Sequence, residues 1–530
     1  MLEKALRILV VLLALMVSAC ASVNEAQSGN RIIYGLTLQP SGFDPHIHAS
    51  SELGIPLRSV YDTLVYRDPT TGEFVAGLAS SWTVSADGLS YTFSLKQNVK
   101  FHDGTMFNAQ AVAANLDRIV NPETGSQKAA ALLGTFASYE IVDDYTIRLI
   151  LSQPYSPLLD SLSQVYLGMA SPTALNQYSN ERYQFNQVGT GPFRFVEYVP
   201  GDRLVIRRNP DYAWGPAFYT APTAESVDEI EFRFFTDTAT RALALEGGDA
   251  QIMGELLPID ARALAVSQEI ELLPVSVPGQ PLQFLLNTSI APTNDLSVRR
   301  ALILATNREA IIDAVFQRFS PVAWAPIAAS TAFYNASLAG AYDYDPGQAR
   351  SLLGTAGLVD SDNNGYLDAN GADLMLNMLV PPWGLIPDVA QLIQDQWREV
   401  GIRVELETVP TRSALIEQVN EGAYNLVAFY DFGEDPAFLN RYFSSDGTNN
   451  WSRVADAELD RVLTDALTQA DPANRAALYA EAQRIIMDQA LVLPIRDYVN
   501  LNAAQSIVHN LTFDAYGWFP LLNNVTVSGG

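Results

Sequence analysis

The sequence predicts an α/β chain of two lobes, built on mixed sheets with flanking helices and joined by a hinge. Three observations predict it. Strand-like and helix-like segments alternate through the middle of the chain, the pattern of sheets whose connections are helices. A length of 530 residues exceeds what one hydrophobic core usually serves, so at least two lobes are expected. Two segments, Pro278-Gly279-Gln280-Pro281 and Leu493-Pro494-Ile495, suit a chain passing into a second lobe and back, as a pair of hinge strands would. The expected division is a signal segment over 1–19, a lipidated tether over 20–30, and a first lobe with an extra subdomain over 31–284. A second lobe over 285–495 and a return to the first over 496–530 complete it.

In chain order, Arg31–Leu38 reads as the first strand, and Tyr61–Tyr66 and Leu89–Leu95 as further strands, the latter after the turn Ala86-Asp87-Gly88. Asn108–Ile119 has helical spacing, with Val112, Leu116 and Ile119 on one face and Pro122 beyond its end. Ile141–Leu151 and Phe193–Arg207 alternate as strands. The alternating region follows: strand Glu229–Phe235, helix Thr238–Leu245, strand Leu282–Leu286, helix Val298–Phe316, strand Leu374–Val380, helix Pro387–Val400 and strand Ile402–Glu407. Late helices at Asp456–Leu467 and Pro472–Gln489 lead to a last strand at Ala490–Ile495.

The first residues are a targeting pattern, not part of the fold. Lys4 and Arg7 precede ten apolar residues, Ile8 to Val17, and Val17-Ser18-Ala19-Cys20 closes the run. A membrane span needs about 20 apolar residues, so this run is too short to cross. The pattern is that of a lipobox, in which Cys20 becomes the lipidated N-terminus; the alternative is a plain signal peptide that contains a cysteine. Cys20 is the only cysteine. Once it is lipidated, disulfides, cysteine-ligated zinc, iron–sulfur clusters and cysteine nucleophiles are excluded. The body is then a soluble domain outside the cytoplasm, tethered to the cell membrane by its lipid, and a monomer is expected. A formal charge of −27 argues against nucleic acid and anionic headgroups as partners, and it serves solubility or favours cationic solutes.

Little in the chain suits catalysis. There is no P-loop, no G-x-S-x-G elbow and no H-E-x-x-H, so no catalytic residue is assigned and no cofactor is expected. His46 and His48 form an H-x-H pair without neighbouring ligands, and no metal site is assigned to them. Asp360-Ser361-Asp362-Asn363-Asn364-Gly365-Tyr366-Leu367-Asp368 resembles the first half of a calcium loop. Gly371 stands where the bidentate acid belongs, and a surface turn explains the segment equally well.

A set of motifs in order carries a resemblance. They are Gly42-Phe43-Asp44-Pro45, Leu78-Ala79-Ser80-Ser81-Trp82, Asp87-Gly88-Leu89-Ser90-Tyr91-Thr92-Phe93, Val99-Lys100-Phe101-His102-Asp103-Gly104-Thr105 and Gly189-Thr190-Gly191-Pro192-Phe193. Arg208-Asn209-Pro210-Asp211-Tyr212, Val298-Arg299-Arg300-Ala301-Leu302 and Asn307-Arg308-Glu309 follow. Together they resemble the extracellular solute-binding proteins of family 5, the peptide- and nickel-type subunits of ABC importers, over about residues 31–520. Each motif is architectural in chemistry, since Asp-Gly pairs make turns and Trp82 suits a core. The resemblance implies the two-lobed periplasmic-binding-protein fold of the large peptide-binding type, with a short peptide enclosed between lobes and delivered to the permease's transmembrane subunits.

Ligand residues are expected on loops that follow strand ends facing the cleft. Trp383 follows strand Leu374–Val380, and offers a flat face to ligand or packs on its own lobe. Asp431, Glu434 and Asp435 follow Asn425–Phe429. The resemblance implies that one aspartate here pairs with a peptide's amino terminus, and spacing one residue longer than usual leaves all three open. Phe43, at the end of Gln39–Phe43, is placed on the facing wall, and Trp324 and Trp451 are further candidates. Oligosaccharides and nickel chelates are alternatives within the class. A lipid-anchored ectoenzyme using paired carboxylates and a solute sensor are alternatives outside it.

Overall fold

The computed structural model describes residues 30–369 and 371–528. The signal segment, Cys20 and the tether up to residue 29 therefore lie outside the described residues.

Two sheets organise the chain. The first runs in the order Ile270–Ser276, Val499–Gln505, Ile252–Met253, Arg31–Leu36, Glu229–Phe234, Arg203–Arg208, Phe193–Val199. Arg31–Leu36 is parallel to both of its neighbours, so it must be covered on both faces. Its alternation meets that need. Ile32, Tyr34 and Leu36 enter the large core of this lobe, while Ile33 packs on a smaller core with Met253 and Leu501. The second sheet runs Arg403–Thr408, Met375–Val380, Leu426–Phe429, Leu282–Leu286, Val492–Arg496, again with its inner strand Met375–Val380 parallel to both neighbours. Phe284 and Leu286 face a core that contains Trp397, and Leu285 faces another that contains Tyr424 and Tyr479. A four-stranded antiparallel sheet, Ala79–Val84, Ser90–Leu95, Thr146–Leu151, Phe136–Asp143, makes a subdomain under helix Ala109–Val120. Asn108 caps that helix by accepting from the Ala111 N–H at 3.0 Å.

Several expected elements differ. Val298–Phe316 is two helices, Leu296–Leu304 and Arg308–Phe316. Asn307 interrupts them because its side chain caps the second, accepting from the Ala310 N–H at 3.0 Å. The strand expected at Tyr61–Tyr66 is short and starts late, at Val65–Arg67. Upstream, the carbonyls of Ser59, Val60 and Thr63 accept from Phe193, Gly191 and Leu78, which holds an extended segment outside any ladder. Ile141–Leu151 and Phe193–Arg207 are each parts of hairpins, Phe136–Asp143 with Thr146–Leu151 and Phe193–Val199 with Arg203–Arg208.

The architectural motifs converge on one buried carboxylate. Asp62 accepts from Thr190 Oγ1 at 2.9 Å, Tyr212 OH at 2.8 Å, Trp214 Nε1 at 3.1 Å and Tyr66 OH at 2.6 Å. A carboxylate can accept several donors at once, so one residue fastens the Gly189–Phe193 and Arg208–Tyr212 motifs together.

The chain passes from the first sheet to the second between Ser276 and Leu282 and returns between Arg496 and Val499. At the first crossing the Gln280 N–H donates to Asp431 O at 2.7 Å and the Gly433 N–H to Pro278 O at 3.0 Å. Gly279, at φ 134, lets the strands approach this closely, since a Cβ there would stand 2.2 Å from Asp431 O. Gly279→Ala should therefore lower the melting temperature measurably. Gly354→Ala should stabilise by about 0.5–1 kcal/mol, because that exposed helical glycine has nothing within 4 Å of a new Cβ. Paired urea melts check both, and equal effects would refute the assignment of the crossing as the tight point.

Candidate functional site

Carboxyl ends of parallel strands from both sheets come together around Tyr430 and Tyr498. In the first these ends are Thr37, after Arg31–Leu36, and Gly254-Glu255, after Ile252–Met253. In the second they are the loops after Met375–Val380 and Leu426–Phe429. Such ends gather ligands because loops of several strands converge there with free backbone groups.

An aromatic wall crosses between the sheets. Phe432 stacks on Trp518 with centroids 5.3 Å apart and meets Tyr498 edge-on at 4.9 Å. Tyr430 lies 5.6 Å from Tyr498 and 5.5 Å from Phe432. Trp383 is half-buried against both cores of the second lobe, and the neighbouring Gly384 approaches Tyr430 OH. Among the described residues, Trp518 Nε1, both amide atoms of Gln280, Asn502 Oδ1 and Asp497 Oδ1 are buried without a hydrogen-bond partner. Unpaired polar atoms cost free energy when dry, and one of these, Trp518 Nε1, belongs to the aromatic wall itself, which suits a polar, partly apolar solute.

Acids and arginines meet at the floor, where the Arg496 guanidinium lies 4.4 Å over the Tyr498 ring and Arg241 donates to Glu255 O at 2.8 Å. Glu255 accepts from Thr37 Oγ1, and from Tyr498 OH at 3.3 Å. Behind it, buried Glu52 accepts from the Thr37 N–H at 3.1 Å, and burial together with the nearby Glu255 charge pushes its carboxyl up to about 8. Burial, reinforced by Glu255, also pushes the Tyr430 hydroxyl up to about 12.

The three acids of the loop after Phe429 go to three different partners. Asp431 binds Arg441 and accepts from Tyr442 OH at 3.0 Å. Asp435 receives two bonds from Arg475, at 2.6 and 2.8 Å, a buried bidentate pair. Glu434 reaches across to the first lobe, where Arg67 lies 3.6 Å away and also bonds Asp160 at 2.9 Å. Ser156 adds a second link across the lobes, donating from N to Leu467 O at 2.8 Å and from Oγ to Gln469 O at 2.5 Å.

The remaining expected residues lie apart from this wall. Phe43 is fully buried, edge-on to Tyr198 at 4.8 Å in the first lobe's core. Trp451 is a core side chain of the second lobe, edge-on to Phe429 at 4.7 Å. Trp324 lies under the Arg308 guanidinium, 4.2 Å from ring centroid to carbon. Reasoning from sequence missed Glu255, Gln280, Tyr498 and Trp518. The Pro278–Pro281 and Leu493–Ile495 crossings were the available signal, since Gln280 belongs to one and Tyr498 follows the other.

The histidines serve the fold. His46 places Nε2 2.9 Å from Gly168 O and Nδ1 2.8 Å from Arg118, and burial followed by the Arg118 charge lowers it to about 4. In the acidic turn, Asp360, Asp362 and Asp368 bring oxygens within 4.8 Å of one another. Those oxygens accept from Ser361, Asn364 and Gly365 main-chain N–H groups, the bonds of a surface turn.

Comparison with known proteins gives a consistent picture. The model of bacterial extracellular solute-binding proteins, family 5, matches residues 73–450. The glutathione-binding protein GsiB of Salmonella typhi is 30% identical over 433 residues, 79% of each chain. Di/tripeptide-binding protein 1 of Pseudomonas aeruginosa is 27% identical over 527 residues, 94% of each chain. Among solved structures, NikA from Brucella suis in complex with Fe(III)-EDTA superposes with a TM-score of 0.84 at 25% identity, covering 94% of this chain and all (100%) of that one. DppA from Helicobacter pylori in complex with the peptide STSA gives 0.74 at 25% identity, covering 95% and 100%.

Burial, opposed by Arg67 and reinforced by Asp160, Asp435 and Asp514, pushes the Glu434 carboxyl up from 4.5 to about 7. A raised carboxyl favours the folded state only while protonated. Its contribution is fully present below pH 4.5 and is lost as pH rises through about 7. Glu434→Gln should remove this loss, gaining on the order of 1–3 kcal/mol relative to wild type between about pH 4.5 and pH 8 in urea melts. Parallel curves for the two proteins would contradict it.

Proposed function

The chain belongs to the bacterial extracellular solute-binding proteins of family 5, and we propose that it captures short peptides in the crevice between its two sheets for an ABC importer's transmembrane subunits. The observation that carries this is the meeting of the Tyr430–Phe432–Tyr498–Trp518 wall with unpartnered buried polar groups at strand ends of both lobes. Aromatic faces bury apolar side chains, and backbone-like amides match the polar groups. The peptide reading is supported by similarity to glutathione- and di/tripeptide-binding relatives. An anionic metal chelate is the second reading, favoured by likeness to NikA with Fe(III)-EDTA and by the buried Arg496 guanidinium over the Tyr498 ring.

The two lobes, 31–284 with 496–530 and 285–495, close about the paired crossings. Trp383 and Asp431 flank the mouth, while Glu434 and Asp435 fix the loop and the lobe contact. The chain binds its solute without transforming it. No described helix is long and apolar enough to cross a membrane, and attachment is assigned to a lipid on Cys20, with a monomer outside the cytoplasm.

Isothermal titration of the protein without its signal segment, against di- to tetrapeptides, Fe(III)-EDTA and oligosaccharides, tests the proposal. Peptides should bind, and should raise stability by about 2.7 kcal/mol at one hundred times Kd. Tyr430→Ala should weaken that binding by roughly tenfold or more through lost aromatic contact. Binding of only the chelate or only sugars would overturn the peptide reading.

A further inference from the structure

We propose that capture of a solute takes up a proton from solvent and that Glu434 receives it, because closing the lobes carries this carboxyl against acids of the first lobe. This rests on the reading above, in which the lobes close on a peptide, and adds a regulation of that same site by pH.

Glu434 lies at the junction of the lobes. It is 8% exposed, on the loop that follows Leu426–Phe429, and its carbonyl accepts from the Ala332 N–H at 3.2 Å. Across the gap its carboxyl meets Arg67, at the end of strand Val65–Arg67. That meeting is incomplete. Arg67 Nη1 stands 3.6 Å from Glu434 Oε1, beyond hydrogen-bond length, and already donates to Gly72 O at 2.8 Å. Its Nε is spent on Asp160, at 2.9 Å. One guanidinium serves two carboxylates and a carbonyl, and Glu434 has the poorest share.

The other acids around it are better placed. From the first lobe come Asp160, on helix Leu158–Ser163, and Asp514, in the C-terminal segment; from its own lobe comes Asp435. Each has a partner inside its own lobe. Asp160 has Arg67 and, at 2.9 Å, the Tyr516 hydroxyl; Asp514 has Arg58, 3.8 Å away; Asp435 has Arg475. Asp431 turns to Arg441 instead. Tyr155, beside Asp435 and Asp160, keeps its proton, since burial pushes its hydroxyl up to about 12. These pairs persist whether the lobes are open or closed. Glu434 alone depends on the other lobe for its cation, and that lobe brings two acids with an arginine already shared. Like charges gathered out of water favour the neutral form of the least paired member. Its carboxyl, pushed up to about 7 with the lobes in contact, fits that account.

Opened to water, the carboxyl returns toward its ordinary 4.5. Closure therefore raises its affinity for a proton, and by linkage the proton favours closure. This help is fully present below pH 4.5 and is lost as pH rises through about 7. Ser156, the other polar link across the lobes, joins neutral groups and does not titrate in this range.

Isothermal titration of trialanine into wild type, Glu434→Gln and Glu52→Gln, at about pH 6 in two buffers of different ionisation enthalpy, counts the protons taken up on binding. Wild type should take up about one proton per peptide, and Glu434→Gln almost none. Wild-type affinity should fall roughly tenfold or more between about pH 5 and pH 7, while Glu434→Gln, which mimics the protonated acid, holds its affinity. Small-angle scattering without peptide reads the lobes directly: the wild-type radius of gyration should grow over that range and the variant's should not. Equal uptake in wild type and Glu434→Gln would overturn the proposal. Loss of uptake in Glu52→Gln instead would place the proton at the crevice floor and overturn it equally. If trialanine fails to bind wild type, the peptide reading falls and scattering decides alone. A pH-dependent radius that Glu434→Gln abolishes then upholds the role of Glu434, and any other pattern overturns it.

Discussion

The crossing at Gly279 constrains everything around it. Two main-chain bonds tie 278–280 to 431–433, and the Ala328 N–H adds a third to Gly279 O at 2.8 Å. Thr331 closes the group by accepting from the Gly279 N–H at 2.8 Å. The loop that carries Tyr430 and Phe432 is thereby fastened to the strand about which the lobes turn. Hinges absorb rotation in a few residues while elements beyond them move as bodies. A loop bonded to the crossing stays near the axis, so it is displaced little as the lobes move. One wall of the crevice is thus preorganised, which reduces the ordering cost of binding.

The lobe contact pairs the aromatic stack of Phe432 on Trp518 with a polar link that is weakly made. Arg67 serves Asp160 within its own lobe and Glu434 across the gap, at 2.9 and 3.6 Å. The pair to Glu434 is longer and less directed, and burial has pushed that carboxyl toward neutrality. Taking charges out of water is costly, and an imperfect pair recovers only part of the cost. Asp435 with Arg475 is the contrast, a bidentate pair within one lobe that has no need to open. Strong pairing inside each lobe and weak pairing between them is what a contact that must release its solute requires.

The fold was legible to the extent that local rules decide it. Leu282–Leu286 is strand over its whole expected length, and helix Ala109–Val120 lies one residue along from its predicted span. Periodicity failed where polar bonding overrode it. Asn307 looks compatible with a continuous helix until its side chain is seen capping the next one. Tyr61–Leu64 is buried throughout, so alternation carries no information, and the carbonyls of Asp62, Thr63 and Leu64 accept from the main-chain N–H groups of Met169, Leu78 and Ala79. The acids at 431–435 were expected to offer one partner for a peptide's amino terminus, and sequence could not say that arginines at 67, 441 and 475 would face them.

The crevice illustrates a deeper separation. Two of the motifs that mark the family gather on Asp62, where three donors distant in sequence join Tyr66 on one carboxylate, and changing any of them disturbs architecture. The side chains of the proposed site come from Thr37, Glu255, Gln280, Tyr430, Tyr498 and Trp518, positions that share no motif and little sequence neighbourhood. Architecture demands particular residues at particular turns, because backbone geometry admits few solutions. Recognition demands only that charge, ring faces and polar groups arrive at one place, and any strand end that reaches the crevice can supply them. A family sharing one scaffold can therefore vary its solute by changing single residues at these ends, each supported by a backbone that does not move.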